Sequence, residues 1–310
     1  MSQIKKKQHY VWKKYLTSWS LNDQIFTYLK SSNKTIKTSL EGVAQERFFY
    51  ALEEFTEEEE IILKELINLW ANDVVKPFVF EIFKQITSYS KLKRILESKI
   101  LDDLNVSDVD KRLALLKANT MEDIHSTFEK LGEKLIRIRK IEDLEFLDND
   151  YELLSTMIFI SFQYLRTKSM QEIIKPVISR YPYLSEKYLN FLPFIYAPSI
   201  ANSLTYVKGI KFVFFDNYTD IDFITTDQPI INVKKDVINS AGEVSQMDLY
   251  YPITPKKAII IHYQEQKKKR KYILITKEEV IYYNNLMVKN AREFMFSSNI
   301  EQLRSFSNTL

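Results

Sequence analysis

The segment Tyr151-Glu-Leu-Leu-Ser-Thr-Met-Ile-Phe-Ile-Ser-Phe-Gln-Tyr-Leu-Arg166 decides the fold, because as a helix it would be apolar on almost every side. A helix that is apolar all round is buried in a core, whereas a surface helix has a single apolar stripe. Asn149 or Asp150 precedes the segment as an N-cap, a position that short polar side chains favour. We therefore expect a core helix around which the rest of the chain packs.

Helical periodicity extends on both sides of this segment, from about residue 55 to about residue 205. The acidic run from Glu57 to Glu60 is typical of a helix N-terminus, where carboxylates interact favourably with the helix dipole. Another helix is expected from the apolar spacing between Ile124 and Ile138, with Thr120 as its cap. The middle of the chain is therefore predicted to be helical.

Strand patterns lie toward the two ends of the chain. Near the N-terminus two runs predict a hairpin, Gln24 to Leu29 and Thr35 to Ser39, and Gln45 to Glu54 is expected to be helical. Five later segments have strand character: Lys211 to Phe215, Asp222 to Thr225, Asp248 to Tyr251, Ala258 to Tyr263, and Tyr272 to Thr276. The last two would form a hairpin across Gln264 to Lys271, and a helix from Lys277 to Phe296 would follow.

These patterns predict an α+β fold, with a predominantly helical core and a small, mostly antiparallel sheet formed by N- and C-terminal segments. Residues 1–54 and 206–310 would form one mixed α+β lobe, and residues 55–205 would form a helical lobe inserted between them. Because no long linker separates these parts, we expect one interlocked globular unit.

The composition excludes several classes of function. The chain contains no cysteine, which removes disulfides, thiolate catalysis and sulfur-ligated metals and suits a reducing compartment. Its four glycines form no clustered loop, so glycine-based nucleotide binding is not expected. The net charge of +3 is weak, so nucleic-acid binding would depend on local basic patches.

The same sequence gives an expectation for location. The N-terminal segment from Met1 to Trp12 is basic and lacks the apolar run of a signal peptide. Further along, the chain has no uninterrupted apolar stretch of the length needed for a membrane span. We therefore expect a cytoplasmic protein without a membrane partner.

Three groups of residues together resemble a known family. They are Gln8-His9-Tyr10-Val11, Phe162-Gln163-Tyr164-Leu165-Arg166-Thr167 and Phe223-Ile224-Thr225-Thr226-Asp227-Gln228-Pro229, with further likeness at Tyr251-Pro-Ile-Thr-Pro255 and around Asn285. In order and spacing they resemble the bacterial domain of unknown function 4238 family over nearly the whole chain. Some members of this family look like parts of bacterial anti-phage or toxin-like loci. A nuclease-like or toxin-like effector of anti-phage defence is the function that we expect.

Four polar residues in these motifs are candidates for catalysis: His9, Gln163, Arg166 and Asp227. Gln163 and Arg166 share one face of the core helix, where an arginine must meet an acid, an anion or carbonyl groups. If the sheet packs on this helix, the four side chains can converge. His9 would act as general base or acid, Asp227 would orient its imidazole, and Arg166 would stabilise charge on a phosphate, as in metal-independent RNA cleavage.

The alternative role for these residues is structural. Arg166 and Asp227 would form a buried ion pair, and His9 would be hydrogen-bonded beneath neighbouring aromatic side chains. His125 and His262 are interpreted as isolated or satisfied histidines, because three scattered histidines do not make a zinc motif. No metal site is therefore assigned.

A basic segment is the second candidate region. Its residues, Lys267, Lys268, Lys269, Arg270 and Lys271, could contact nucleic-acid phosphates or form a solvated hairpin tip. Glu265 and Lys267 also match the Glu-x-Lys element of metal-dependent nucleases, so magnesium is a candidate cofactor, although none is strongly implied. Without catalysis, the chain would be a nucleic-acid-binding or protein-binding sensor, or a subunit of an assembly.

Overall fold

The computed structural model describes most of the chain. The described ranges are 4–98, 106–181, 183–207, 209–240, 242, 244–263 and 269–307. The α-helices within them are α1 (Lys13–Leu16), α2 (Glu57–Trp70), α3 (Lys76–Glu97), α4 (Val106–Lys130), α5 (Asp150–Leu165), α6 (Lys168–Ile178), α7 (Leu192–Asn202), α8 (Lys277–Asn290) and α9 (Ile300–Ser307).

Helix α5 is the centre of the helical region, as the sequence predicts. The side-chain oxygen of Asn149 accepts hydrogen bonds from the N–H groups of Tyr151 (3.0 Å) and Glu152 (3.1 Å), which confirms the expected cap. The helix contacts α4, α6 and α7, and its buried side chains include Met157 and Phe159. Because these contacts cover apolar surface on several sides, α5 contributes strongly to the hydrophobic core.

Helices α2 and α4 show where local sequence signals predict the helix bounds correctly and where they do not. Helix α2 begins at the expected acidic run, and Thr56 and Glu59 form a reciprocal capping box. The prediction of a helix as far as Ile138 is wrong, because α4 ends at Lys130. Leu135 and Ile138 still face the core, but from a short 3-10 helix and the residue after it, so the apolar spacing extends beyond the α-helix.

The β-strands form three sheets within the described ranges. The strands are β1 (Lys7–His9), β2 (Gln24–Leu29), β3 (Lys34–Ser39), β4 (Gln45–Arg47), β5 (Ile210–Asp216), β6 (Thr225–Thr226), β7 (Ile231–Asn232), β8 (Leu249–Thr254), β9 (Lys257–Tyr263), β10 (Lys269–Leu274) and β11 (Phe294–Ser297). Their orders are β1-β4, β10-β5-β9-β8-β7 and β3-β2-β11-β6. The α+β class is confirmed, but the expectation of one small sheet is wrong.

The five-stranded sheet comes from the C-terminal third of the chain alone. Strand β9 is antiparallel to both β5 and β8. Strand β10 is parallel to β5, with Tyr272 opposite Phe214. The predicted hairpin between β9 and β10 is therefore wrong: β9 already has a partner on each side, so β10 pairs with the other edge of β5.

The four-stranded sheet joins the two ends of the chain. The predicted β2–β3 hairpin is confirmed, and β11 lies antiparallel to β2 with Met295 opposite Tyr28. The prediction of a single helix from Lys277 to Phe296 is wrong, because α8 ends at Asn290 and β11 follows. The backbone of β11 pairs with β2 on one side and with β6 on the other, which outweighs its local helical pattern.

The aromatic N-terminal segment is buried against the later strands. The indole nitrogen of Trp19 donates to the carbonyl of Phe223 at 2.9 Å, and the hydroxyl of Tyr15 donates to the carbonyl of Pro252 at 2.8 Å. Upstream, β1 pairs with β4, so that His9 lies opposite Gln45. The prediction of a helix from Gln45 to Glu54 is therefore wrong, because strand pairing with β1 outweighs its helical pattern.

None of the helices in the described ranges has the length and apolar character that crossing a membrane requires.

Gly132 allows a test of the packing around α5. A Cβ atom at this position would lie 2.5 Å from ring atoms of Phe159, which is fully buried. Overpacking of this kind costs about 1–3 kcal/mol, so Gly132→Ala should lower the free energy of unfolding by that amount in urea denaturation. Phe159→Leu should lower the free energy of unfolding by less in the Gly132→Ala protein than in the original protein, because the smaller side chain relieves the contact with the added Cβ atom. Equal stability of Gly132→Ala and the original would contradict this packing.

Candidate active site

Arg166 ends the core helix and is only 1% exposed. Its Nε donates to the hydroxyl of Tyr50 at 3.2 Å, and one terminal nitrogen donates to the carboxylate of Glu129 at 2.7 Å. The other terminal nitrogen donates to the backbone carbonyl of His9 at 2.6 Å. Arg166 thereby joins β1, the segment after β4, and α4 to the end of α5.

The charges of Arg166 and Glu129 compensate each other inside the protein. Burial would by itself lower the pKa of Arg166, but Tyr50 and Glu129 together raise it above its ordinary value. Burial raises the pKa of Glu129, and the neighbouring guanidinium of Arg166 opposes that shift. Removing one partner would leave the other charge buried without compensation, which is strongly destabilising.

A cleft of about 470 Å³ lies beside this ion pair. Its walls come from the end of β1, from α1 with its flanking residues, and from α4. They are formed by His9, Trp12, Lys13, Lys14, Thr17, Glu122 and Glu129. The cleft therefore combines an imidazole, two carboxyl groups and two ammonium groups from distant parts of the chain.

His9 supplies a basic group to this cleft. Burial, with smaller contributions from the positive charges of Lys13 and Arg166, lowers the pKa of its imidazole to about 4. Its Nδ1 is buried and has no hydrogen-bond partner among the described residues. The imidazole is therefore unprotonated at neutral pH, and this nitrogen is available as a general base in acid–base chemistry.

Glu122 supplies the complementary acid. Burial raises the pKa of its carboxyl group to about 7, while Arg166 opposes the shift and Glu129 adds to it. Its buried Oε2 also lacks a hydrogen-bond partner within the described ranges. A carboxyl group that is partly protonated near neutral pH can donate a proton to a leaving group.

Sequence reasoning missed Glu122 and Glu129, although a signal for them exists. The two carboxylates are seven residues apart on α4, which places them on the same helix face. His125 lies between them and is 2% exposed. Two acids flanking a histidine, beside the apolar spacing of Ile124 and Phe128, mark this face as unusual for a surface helix.

Gln163 lies in the core. It is 2% exposed on α5, and its Nε2 has no hydrogen-bond partner in the described part of the chain. It does not belong to the described residues that line the cleft. The structure therefore brings His9 and Arg166 together, and it leaves Gln163 on the same helix as Arg166 but away from the cleft wall.

Asp227 has a different environment. Its carboxylate accepts hydrogen bonds from the backbone N–H groups of Arg292 (2.9 Å), Glu293 (2.6 Å) and Phe294 (3.2 Å). Burial raises its pKa, and these three N–H groups counteract the shift. Asp227 thus anchors the connection between α8 and β11.

The expected ion pair of Arg166 with Asp227 is replaced by another. Glu129 of α4 is the acid that reaches the guanidinium, whereas the oxygens of Asp227 are occupied by backbone N–H groups. The expectation that Asp227 orients the imidazole of His9 fails for the same reason. The contribution of α4 depends on helix packing, which the sequence pattern does not display.

Two of the family-like motifs nevertheless meet. The hydroxyl of Thr167 forms a hydrogen bond with the side-chain oxygen of Gln228, and the side-chain nitrogen of Gln228 donates to the carbonyl of Tyr164 at 3.1 Å. The end of α5 is therefore held against the segment after β6.

The basic segment is only partly described. Lys267 and Lys268 lie outside the described residues, as does the side chain of Lys269. Arg270 donates to the carbonyl of Leu144 at 3.0 Å and to the carboxylate of Asp148 at 2.9 Å, and Lys271 is exposed. Arg270 thus holds β10 against residues 141–148.

The other histidines do not join the cleft. His262 lies 2.8 Å from a carboxylate oxygen of Asp248, and His125 is stacked on Tyr50 with 3.7 Å between ring centres. No group of three or more histidine, aspartate or glutamate side chains is arranged to hold a metal ion in the part of the chain that the structure describes.

Comparison with known proteins identifies the family of this chain. The model of a family described as "Protein of unknown function (DUF4238)" matches residues 7–301 of the 310. The chain belongs to this family. The resemblance of the three sequence motifs to DUF4238 is thereby confirmed. No curated protein and no solved structure matches the chain.

In this DUF4238 protein the buried ion pair can be tested by a double-mutant cycle. We expect Arg166→Met to lower the free energy of unfolding by about 3–5 kcal/mol, because Glu129 would remain buried without its partner. Combining it with Glu129→Leu should recover part of this loss. Lys84→Met breaks the exposed pair with Glu81 and should cost less than about 1 kcal/mol. If the double variant loses as much stability as the sum of the losses from Arg166→Met and Glu129→Leu, the pairing is contradicted.

His125 predicts how stability depends on pH. Burial, with a further contribution from Arg166, holds its pKa well below the ordinary value, so the imidazole is neutral in the folded protein. In the unfolded chain the imidazole takes up a proton as the pH falls below about 6.5. Below that pH the free energy of unfolding therefore falls by up to about 1.4 kcal/mol per pH unit. As the pH falls from 7 to 5, the free energy of unfolding of His125→Phe should therefore rise relative to that of the original protein in urea titrations. A stability difference that stays constant over this range would contradict a buried neutral imidazole.

Proposed function

We propose that this protein is a nuclease that cleaves RNA by acid–base catalysis in the cleft between β1, α1 and α4. The observation that supports this proposal is that His9 and Glu122, two groups able to transfer protons, line one cleft. His9 Nδ1 and Glu122 Oε2 are both buried without hydrogen-bond partners in the described ranges. Lys13 and Lys14 line the same cleft and supply positive charge for a phosphate.

The pKa values assign the roles of the two groups. Between pH 4 and pH 7 the imidazole of His9 is unprotonated and the carboxyl group of Glu122 is largely protonated. His9 would take the proton from a ribose 2′-hydroxyl, whose oxygen forms a bond to phosphorus. Glu122 would give its proton to the 5′-oxygen as the P–O5′ bond breaks. The products are a 2′,3′-cyclic phosphate and a free 5′-hydroxyl, and proton exchange with water restores both groups.

The surrounding charges have separate roles in this proposal. Lys13 and Lys14 form ion pairs with Glu41 (3.1 Å) and Glu133 (2.7 Å), and both lysine side chains are about 40% exposed. Exposed pairs of this kind are weak, so a phosphate can replace the carboxylates. Arg166 is a positioning residue, because it holds the backbone carbonyl of His9 from beneath the cleft.

The cellular setting forms part of the same proposal. The absence of cysteine is compatible with a reducing cytoplasm, where RNA is abundant. A toxin-like effector in anti-phage defence would use this activity against the RNA of an infected cell. If the cleft binds RNA without cleaving it, the chain is a nucleic-acid sensor.

Cleavage of labelled RNA in the presence of EDTA tests the proposal. We expect 2′,3′-cyclic phosphate ends, and no cleavage of DNA, which lacks the attacking hydroxyl. His9→Ala and Glu122→Gln should each lower the rate about 10²–10⁴-fold. His262→Ala is the matched control, because it removes an imidazole outside the cleft. An inactive original protein, or equal rates for the original and both cleft variants, would contradict the proposed activity.

The pH dependence of this cleavage is a separate prediction. The rate should rise as His9 loses its proton near pH 4 and fall as Glu122 loses its proton near pH 7. Rates of the original protein measured from pH 3.5 to pH 8.5 should therefore give a bell-shaped profile. A rate that keeps increasing above pH 8 would show that Glu122 is not the acid.

A further inference from the structure

A second cavity of about 390 Å³ lies far along the chain from the first, between α8, α9 and the segment before β6. Ile221, Ile281 and Phe306 form its apolar part, and Asn285, Asn299 and Ser305 contribute polar groups. This volume lies within the range of about 300–1,000 Å³ that is usual for small-molecule sites. The lining suits a ligand with apolar faces and a polar edge.

Several of the polar groups are available to a ligand. The amide of Asn285 and the hydroxyl of Ser305 form no hydrogen bond to the described residues. The side-chain oxygen of Asn299 accepts from the backbone N–H groups of Glu301 (2.9 Å) and Gln302 (3.2 Å), which leaves its amide nitrogen as a donor. Donors and acceptors thus lie together at one cavity.

The cavity carries little net charge. Asp220 is the one acidic residue in its described lining, and its carboxylate accepts a hydrogen bond from Lys277 at 2.8 Å. This contact lowers the pKa of Asp220, so its carboxylate is ionised and its charge is compensated by Lys277. A phosphate or carboxylate ligand would find no unpaired cation in the described lining, whereas a neutral ligand avoids that requirement.

The segment that follows Ile221 in the cavity lining is held in place by two side-chain amides. Asn284 is fully buried, accepts from the N–H of Ile224 at 3.0 Å and donates to the carbonyl of Asp222 at 2.8 Å. The side chain of Gln302 accepts from the N–H of Asp222 at 3.0 Å and donates to its carbonyl. A cavity held in this way needs little ordering when a ligand binds.

We propose that this cavity binds a nucleobase. A base is flat and apolar on its faces, which Ile221, Ile281 and Phe306 can cover. Its edge is neutral and carries hydrogen-bond donors and acceptors. One asparagine amide can bind a neighbouring donor and acceptor of such an edge at the same time. The ligand is either a free nucleoside or a single base of an RNA chain. This inference does not depend on catalysis in the His9 cleft.

Isothermal titration with adenosine, guanosine, cytidine and uridine, and with ribotetranucleotides of each base, tests the proposal. We expect saturable binding of at least one base. Asn285→Leu should weaken this binding about tenfold or more, and Ser305→Ala should weaken it several-fold. Each substitution removes a hydrogen-bonding group and introduces a side chain of similar size. Binding of the nucleoside identifies a free ligand. Tetranucleotide binding that occurs without nucleoside binding, in a His9→Ala protein that does not cleave RNA, and that is lost on adding Asn285→Leu, identifies RNA.

Two control variants complete the experiment. Glu278→Gln changes an exposed residue of α8 outside the cavity lining, and His9→Ala changes the first cleft. Both should leave the affinity for the nucleosides unchanged. Absence of saturable binding by all eight probes at millimolar concentration would overturn the proposal. Unchanged affinity in both Asn285→Leu and Ser305→Ala would also overturn it.

Discussion

The buried charge of Arg166 is the constraint on which the rest of the structure depends. A guanidinium that is 1% exposed is tolerated only where partners compensate it. Its partners are the carboxylate of Glu129, the hydroxyl of Tyr50 and the backbone carbonyl of His9, 157 residues away in sequence. These contacts hold the first strand and α4 against the end of the core helix. The cleft lined by His9 and Glu122 lies between the elements that Arg166 connects.

Burial then accounts for the chemistry of this cleft. It disfavours the charged form of any group, so it lowers the pKa of His9 to about 4 and raises the pKa of Glu122 to about 7. Both groups are therefore largely neutral between these values, one as a base and the other as an acid. The second cavity differs, because neutral amides and apolar side chains dominate its lining. In the two proposals, the first cleft therefore receives the phosphate of a nucleotide and the second cavity receives its base.

Local interactions explain which predictions from the sequence are confirmed. The cap at Asn149, the capping box that begins α2 and the β2–β3 hairpin each involve residues close together in the chain. Long-range pairing explains the errors. Strand β10 pairs with β5 instead of continuing a hairpin, and residues 294–297 pair with β2 instead of extending α8. In each case backbone hydrogen bonds to a distant strand outweigh the local preference of the segment.

The sequence by itself determined the α+β class, the buried core helix ending at Arg166, and the need of that arginine for a compensating partner, because these follow from local periodicity and from the cost of burying charge. Only the tertiary structure decided that the partner is Glu129, that Asp227 binds backbone N–H groups near β11, and that Glu122 joins His9 in one cleft. The physical reason is that many acids in the chain could satisfy the same arginine. Which of them reaches it depends on how α4 packs against α5, and that packing is set by contacts between residues far apart in sequence.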